Sequence, residues 1–212
     1  MNDLTIGALL LITALVIFAF KRAYTSVTAS RVKIVSVRSK IDGRTYSVQD
    51  KQDKQAAADM LARVRGKMIS LIDCLKRTGG AGVKGSEDEK KFGDYPTRVD
   101  RLTSRFDADK IAEGNEDPKY TTYTLNKGEK MVFCLRARGQ DDRVHDLEMM
   151  TFVAIHEMGH VASVTEHHTD EFHSNFKWLL ESAVKCGIYR PENFKNNPRK
   201  YCGITVSDTP LA

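Results

Sequence analysis

The sequence predicts an α+β fold in which a small antiparallel sheet packs on helices, with a transmembrane helix at the amino terminus. Three observations lead to this prediction. Short runs of β-branched and aromatic residues flank turn signals such as Asp42-Gly43, three longer segments repeat apolar residues at helical spacing, and residues 4–20 carry no charge. Strand pairs joined by tight turns and separated along the chain from the helices are typical of the α+β class.

The composition excludes two broad classes of protein. Hydrophobic residues make up 41% of the 212 residues and charged residues 29%, so the chain is neither intrinsically disordered nor a polytopic membrane protein. The net charge of +5 is the balance of 33 basic and 28 acidic side chains, which are spread along the chain. Because no strong cluster of Lys and Arg accompanies this charge, the sequence does not support nucleic acid as a partner.

The uncharged segment 4–20 is interpreted as part of an uncleaved membrane anchor, residues 1–22, followed by a folded body of residues 23–212. A cleavable signal peptide would begin with positive charge and end at small residues, and a buried core helix would have more apolar chain around it. The basic residues that follow the segment are Lys21, Arg22 and Arg31. By the positive-inside rule they place the body in the cytosol, as a single-pass membrane protein for which the bilayer is the partner of residues 4–20.

The four cysteines lie far apart and form no Cys-x-x-Cys pair, which excludes a zinc knuckle and a thioredoxin-like motif. They are Cys74, Cys134, Cys186 and Cys202. An oxidising lumen would allow two disulfides, whereas a cytosolic body predicts free thiols, and the sequence leaves both alternatives open.

The first half of the body is predicted to contain a hairpin and a long helix. Residues 32–48 consist of two β-rich runs around Asp42-Gly43, a strong signal for a tight turn. From Asp50 to Arg77 apolar residues recur at three- and four-residue spacing, which predicts a helix. Residues 78–119 show no clear periodicity and are interpreted as a long surface excursion.

The second half is predicted to contain another hairpin and two helices. The strands Tyr120–Leu125 and Lys130–Arg136 flank an Asn-Lys-Gly turn, and helices follow at about His145–Val164 and Asp170–Lys185. Thr169 is the expected N-cap of the second helix. The remaining tail contains three prolines and is expected to be irregular.

The chemistry of the sequence is concentrated in His156-Glu157-Met158-Gly159-His160. Residues four apart lie on one face of a helix, so both imidazoles can bind one ion, and Zn²⁺ suits such ligands. The intervening Glu157 is then placed to act as a base on water. Gly159 costs helix stability, about 1 kcal/mol against alanine, and therefore predicts a group that packs close to the backbone there.

A catalytic zinc site needs a third protein ligand and an open position. The candidates that follow the motif are Glu166, His167, His168 and His173. His168 is favoured because it lies in the turn between the helices, immediately before the expected N-cap, with Phe172 placed to pack on the helix pair and fix the turn. His167 is the alternative, while His173 and His145 are interpreted as ordinary surface histidines.

The motif His156-Glu157-Met158-Gly159-His160, followed by His168 and then Phe172, resembles the HExxH…HxxxF signature of the WLM and SprT-like zinc metallopeptidases. The resemblance covers about residues 150–185. It implies a zincin-like metallopeptidase domain, with the three histidines as zinc ligands and Glu157 as the catalytic base. The tail from Gly187 to Pro210 also resembles that of membrane-anchored peptidases of large DNA viruses.

The function expected from these residues is zinc-dependent hydrolysis of a protein or peptide substrate, with Glu157 moving a proton from water to the leaving amine. The strand Lys130–Arg136 is a candidate edge for binding an extended peptide, and Tyr189 and Tyr201 are candidate oxyanion donors. Two alternatives remain, a non-catalytic binding module stabilised by zinc and a zinc hydrolase that acts on a non-peptide amide.

Overall fold

The computed structural model describes residues 32–80, 86–115, 121–138 and 143–211. The elements in these ranges belong to one compact unit, Ile34–Ala212. Along the chain they are strand β1 (Ile34–Arg38), strand β2 (Thr45–Gln49), helix α1 (Lys54–Thr78), helix α2 (Glu87–Phe92), helix α3 (Tyr95–Arg105), strand β3 (Ile111–Glu113), strand β4 (Tyr123–Leu125), strand β5 (Lys130–Phe133), helix α4 (Leu147–Ala162), helix α5 (Asp170–Lys185), strand β6 (Arg199–Tyr201) and strand β7 (Ile204–Val206). The predicted α+β class is confirmed.

The amino-terminal hairpin and the long helix of the body are both confirmed. Strands β1 and β2 pair antiparallel, with Val37 opposite Tyr46, around a turn in which Gly43 has a φ of 71°. Helix α1 buries its apolar stripe against α4 and β2, and it ends at Gly79 in the left-handed conformation that glycine adopts readily.

The prediction that residues 78–119 form a long surface excursion is wrong. Its described residues form α2, α3 and β3, and α3 buries Val99 and Leu102 in the core. Side-chain caps start both helices, since Ser86 accepts a hydrogen bond from the Glu89 amide and Asp94 accepts one from the Thr97 amide. Each element is too short to produce a readable periodicity.

The predicted single antiparallel sheet is replaced by three small sheets among the described residues. The sheet next to the site has the order β3-β5-β4, with β3 parallel to β5 and β4 antiparallel to β5. The predicted hairpin β4–β5 is confirmed, and its turn is a 3-10 segment, Asn126–Gly128. At Gly128, a Cβ atom would lie 2.8 Å from the Arg105 carbonyl oxygen, so the turn packs directly on the end of α3.

Helices α4 and α5 form the predicted helix pair. Asp146 caps α4 by accepting a hydrogen bond from the Met149 amide, and Thr169 caps α5 by accepting one from the Phe172 amide, as expected. A buried hydrogen bond from Asn175 Nδ2 to Ser163 Oγ, 2.9 Å long, joins the two helices where α4 ends. This hydrogen bond therefore joins the two helices next to the turn that connects them.

The tail differs from its expected irregular structure, and for the cysteines the structure has the disulfides, one of the two alternatives left open. Residues after Gly187 include an antiparallel hairpin, β6–β7, where an irregular tail was predicted. All four cysteines form disulfides, Cys74–Cys186 and Cys134–Cys202, so the free thiols of a cytosolic body are not found. The second bridge attaches the β6–β7 turn to the chain just after β5.

The predicted transmembrane helix requires a correction. In the described ranges no helix is both long and apolar enough to cross a membrane. Helix α1 is long but carries charged side chains on its exposed face, and the apolar α4 has 16 residues, about 24 Å of the ~30 Å that a bilayer core requires. The residues proposed as the anchor, 4–20 and the basic residues Lys21, Arg22 and Arg31, lie outside the described residues. The fold is therefore given as α+β with small sheets, without that helix.

Candidate metal centre

Three histidines converge at the carboxyl-terminal half of α4. His156 and His160 are one helical turn apart, and His168 reaches them from the turn that precedes α5. The ligand nitrogens of the three side chains all lie within 4.8 Å of one another, and Nε2 of His168 is 3.1 Å from Nε2 of His156. The arrangement brings together the three histidines that the sequence proposed as ligands.

The alternative ligands lie outside this cluster. His167 is exposed and has a φ of 63°, which turns the backbone so that the next residue reaches the helix. The side chain of Glu166 is 75% exposed and pairs with Lys127 at 3.3 Å. His173 is exposed, as expected, and its ring lies 6.4 Å from that of His168.

The turn that carries His168 is fixed by the buried carboxylate of Glu171, in the first turn of α5. Glu171 accepts hydrogen bonds of 2.9 Å from the amides of both Val164 and Thr165. It also pairs with Arg101 of α3 at 3.2 Å. These contacts lower the pKa of Glu171 although burial opposes them, so the carboxylate stays ionised and holds the turn.

Phe172 is the aromatic support of the histidine cluster. Its ring is 1% exposed and stacks on the His160 ring with centroids 4.2 Å apart, while the rings of His156 and His168 are each 4.8 Å away. A Cβ atom at Gly159 would lie 3.1 Å from Phe172 Cε2. The expected close approach to the Gly159 backbone is thus confirmed, and so is the expected packing of Phe172.

The electrostatics of the cluster favour neutral imidazoles. Burial, with a smaller contribution from the neighbouring histidines, lowers the pKa of His156 to about 3 and that of His160 to about 4. The pKa of the more exposed His168 is also lowered, again mainly by burial. Neutral rings keep a lone pair on nitrogen, and metal binding requires that lone pair.

Glu157 lies beside the cluster with its carboxylate buried. Oε2 of Glu157 accepts a 2.6 Å hydrogen bond from Oγ1 of Thr124 on β4. Burial raises the pKa of Glu157 to about 7, and the hydrogen bond opposes that rise. Thr124 is a site residue that sequence reasoning missed, because it is distant in the chain and shows no motif.

Two adjoining cavities meet at His156 and His168. The first, of about 670 Å³, is lined by the three histidines and Glu157 on one side and by β4 and β7 on the others. The second, of about 820 Å³, is lined by α2, the start of α5 and residues 208–210. Volumes of this size are typical of ligand sites.

The predicted substrate edge and one histidine need correction. β5 lies between β3 and β4, so Lys130–Arg136 is not an edge; β4 is the edge strand that lines the first cavity. His145 is partly buried rather than on the surface, with its ring 5.0 Å from that of Tyr201 and Nε2 3.7 Å from Cys202 Sγ.

The two tyrosines proposed as oxyanion donors have different positions. Tyr201 lines the first cavity, and its hydroxyl donates to the Cys134 carbonyl oxygen at 2.9 Å and contacts Thr122 Oγ1. Tyr189 packs in the core, with its ring 6.2 Å from that of Phe152. Of the two proposed donors, Tyr201 is therefore the one beside the histidine cavity, and Tyr189 does not line it.

The donor set fits zinc. Three imidazole nitrogens are a ligand set typical of catalytic zinc sites, in which a fourth position stays open. In the part of the chain that the structure describes, no carboxylate or cysteine joins the cluster, and the four cysteines are committed to disulfides. His156, His160 and His168 are therefore the residues that could hold the ion.

Comparison with known proteins places the chain in a viral family. No family model and no solved structure matches it. It is 30% identical over 205 residues to the uncharacterized protein R325 of Acanthamoeba polyphaga mimivirus, a match that covers 97% of this chain and 95% of the relative. The chain therefore belongs to the same protein family as this mimivirus protein.

Two further relatives share part of the sequence. An uncharacterized protein of invertebrate iridescent virus 3, 042R, is 33% identical over 95 residues, which cover 45% of this chain and 54% of the relative. An uncharacterized protein of invertebrate iridescent virus 6, 136R, is 34% identical over 89 residues, which cover 41% of this chain and 47% of the relative. All three relatives are viral proteins.

Proposed function

We propose that this protein is a zinc-dependent metallopeptidase. The observation that carries the proposal is the convergence of three histidine side chains, with ligand nitrogens within 4.8 Å of one another, beside a buried glutamate in a cavity. The resemblance to WLM and SprT-like metallopeptidases supports the same conclusion from the sequence motif. The position of His167 outside the cluster favours an open coordination position over a closed structural site.

In the proposed mechanism the protein holds zinc through His156, His160 and His168. When bound, zinc supplies a Lewis acid that polarises a carbonyl group and makes water more acidic. Glu157 accepts the proton of the attacking water on its carboxylate and then delivers it to the leaving amine. The Thr124 hydroxyl orients that carboxylate, since it occupies Oε2 and leaves Oε1 for the proton.

The proposed substrate is an extended peptide that pairs with the outer edge of β4. Strand β4 lines the cavity and also carries Thr124, so a peptide added to this edge runs directly past Glu157. The assignment of a peptide rather than another amide depends on this edge strand.

We place the folded body in an oxidising environment. Disulfides persist in lumenal compartments and on virion surfaces and are rare in the cytosol. Both pairs of cysteines are bridged, which supports such an environment in place of the cytosolic location expected from the sequence.

The proposal is tested with the full-length chain, loaded with zinc and incubated with an unbiased peptide library. Wild-type protein should cleave, chelation should stop cleavage, and Glu157→Gln should remove it while one zinc per chain is retained. Glu166→Gln is the matched control, because this exposed glutamate also lines the cavity but lies outside the proposed mechanism. Undiminished cleavage by Glu157→Gln would show that the mechanism is wrong.

A further inference from the structure

The first cavity has an apolar wall whose residues have no part in the proposed mechanism. Alternation along the β6–β7 hairpin places Tyr201, Ile204 and Val206 on the cavity side. Phe152 and Val153 of α4 also line the cavity. Ile204 is 50% exposed although it is a large aliphatic residue, whereas Phe152, Val153 and Tyr201 are largely buried behind it.

The polar atoms of this wall are already used within the protein. Thr122 Oγ1 accepts a 3.0 Å hydrogen bond from the Cys134 amide, and the Tyr201 hydroxyl donates to the Cys134 carbonyl oxygen. Lys127 and Glu166, charged residues that line the same cavity, form an ion pair with each other. Among the described residues beside the hairpin, a ligand group that enters the cavity therefore contacts mainly hydrocarbon.

The wall is one helical turn from the proposed metal ligands. Phe152 precedes His156 by four residues on α4, so the two side chains lie on one face, about 6 Å apart along the axis. Consecutive Cα atoms of a peptide are about 3.8 Å apart, so a long side chain next to a carbonyl held at the metal can span a distance of this size. The residue held against the wall is therefore one that flanks the scissile bond.

We propose that this wall, formed by Phe152, Val153, Tyr201, Ile204 and Val206, is a specificity pocket for a bulky apolar side chain next to the scissile bond. The inference rests on the proposed peptidase function and names its substrate class, peptides with Leu, Ile, Met or Phe at that position. Burial of such a side chain favours it over serine by about tenfold to a hundredfold.

The first test is the distribution of cleavage sites that full-length zinc-loaded protein produces in the peptide library. The expected result is enrichment of bulky apolar residues at one fixed position beside the cut. Ile204→Ser should lower kcat/KM for such peptides about tenfold and leave that for peptides with alanine at this position nearly unchanged. Ile41→Ser is the matched control, because Ile41 is similarly exposed but lies in the β1–β2 turn and does not line the cavity.

The second test measures binding without catalysis, so that it decides the pocket even if no peptide is cleaved. Calorimetric titration of the zinc-loaded Glu157→Gln variant should show that a leucine-containing peptide binds at least tenfold more tightly than its serine analogue. Ile204→Ser, added to that variant, should remove the difference. Equal binding of the two peptides overturns the pocket, whereas absence of cleavage with the binding difference intact overturns only the peptidase function.

Discussion

Replacement of Gly159 by alanine tests whether the aromatic packing beneath the histidines positions them. In a helix this change normally stabilises the folded state by about 1 kcal/mol. Here the new Cβ atom would lie 3.1 Å from Phe172 Cε2 and 3.4 Å from Phe176 Cβ, closer than ordinary contact for the first of these. Overpacking of this kind costs about 1–3 kcal/mol, so the net effect should be a loss of roughly 0–2 kcal/mol.

The displacement should also reach the metal ligands. The Phe172 ring can relieve the contact only by moving, and it stacks on the His160 ring at a centroid distance of 4.2 Å. We expect zinc affinity to fall about tenfold. Urea unfolding of the metal-free protein measures the stability change, and competition with a chromogenic chelator measures the affinity.

Gly66→Ala provides the matched control. Gly66 lies in α1, and a Cβ atom there would have no neighbour within 4 Å, so alanine should stabilise the protein by about 1 kcal/mol and leave zinc affinity unchanged. If Gly159→Ala stabilises the protein as much as Gly66→Ala and binds zinc as tightly as wild type, the proposed role of the packing is refuted.

Three further predictions concern the proposed base, the disulfide that holds the β6–β7 hairpin, and the histidines. Thr124→Val removes a hydrogen bond to the proposed catalytic carboxylate, so it should lower kcat/KM about tenfold to a hundredfold with zinc content unchanged. Thr124→Ser keeps the hydroxyl and should restore most of the activity. A fully active valine variant would contradict this role. Replacement of both Cys134 and Cys202 by serine removes a disulfide between residues 68 positions apart and should lower the free energy of unfolding by roughly 2–4 kcal/mol. Equal urea midpoints for the variant and wild type would contradict this stabilising role of the disulfide. Burial lowers the pKa of His156 to about 3 and that of His160 to about 4, against 6.5 for an unperturbed histidine. Between these pKa values the unfolded chain binds protons at both histidines and the folded chain does not. The contribution of these two histidines to the stability of the metal-free protein should therefore be present above about pH 6.5 and fall by up to about 3 kcal/mol for each histidine as the pH drops towards 4, while Glu157, whose pKa is raised to about 7, acts in the opposite sense. A pH profile of urea unfolding that has the same slope for His156→Gln and wild type would argue against this cause.

The helices could be predicted from the sequence because their information is local. Apolar spacing places α1, α4 and α5 within a few residues, and the His156 to His160 spacing places two imidazoles on one face of a helix. The glycine at position 159 also predicted a group that packs close to the helix backbone. The turn that carries His168 could also be predicted, because the N-cap Thr169 that follows it is recognised from the local sequence.

The rest depends on contacts between distant parts of the chain. The parallel pairing of β3 with β5 joins segments about 20 residues apart, and β3 is too short to be recognised alone. Glu171 fixes the turn through an ion pair with Arg101, 70 positions earlier, and Thr124 meets Glu157 from another element. The pairing of the cysteines depends on where the tail returns to β5, and no spacing rule determines it.

The central claim is a zinc site with three histidine ligands and one open position, and zinc-edge X-ray absorption of the full-length chain tests it most directly. We predict one zinc per chain with three imidazole nitrogens at about 2.0–2.1 Å and one further light atom that is not from histidine. His168→Ala should lose one imidazole contribution, and His167→Ala should leave the spectrum unchanged. A spectrum with four histidine ligands, or a chain that retains no zinc, would contradict the claim.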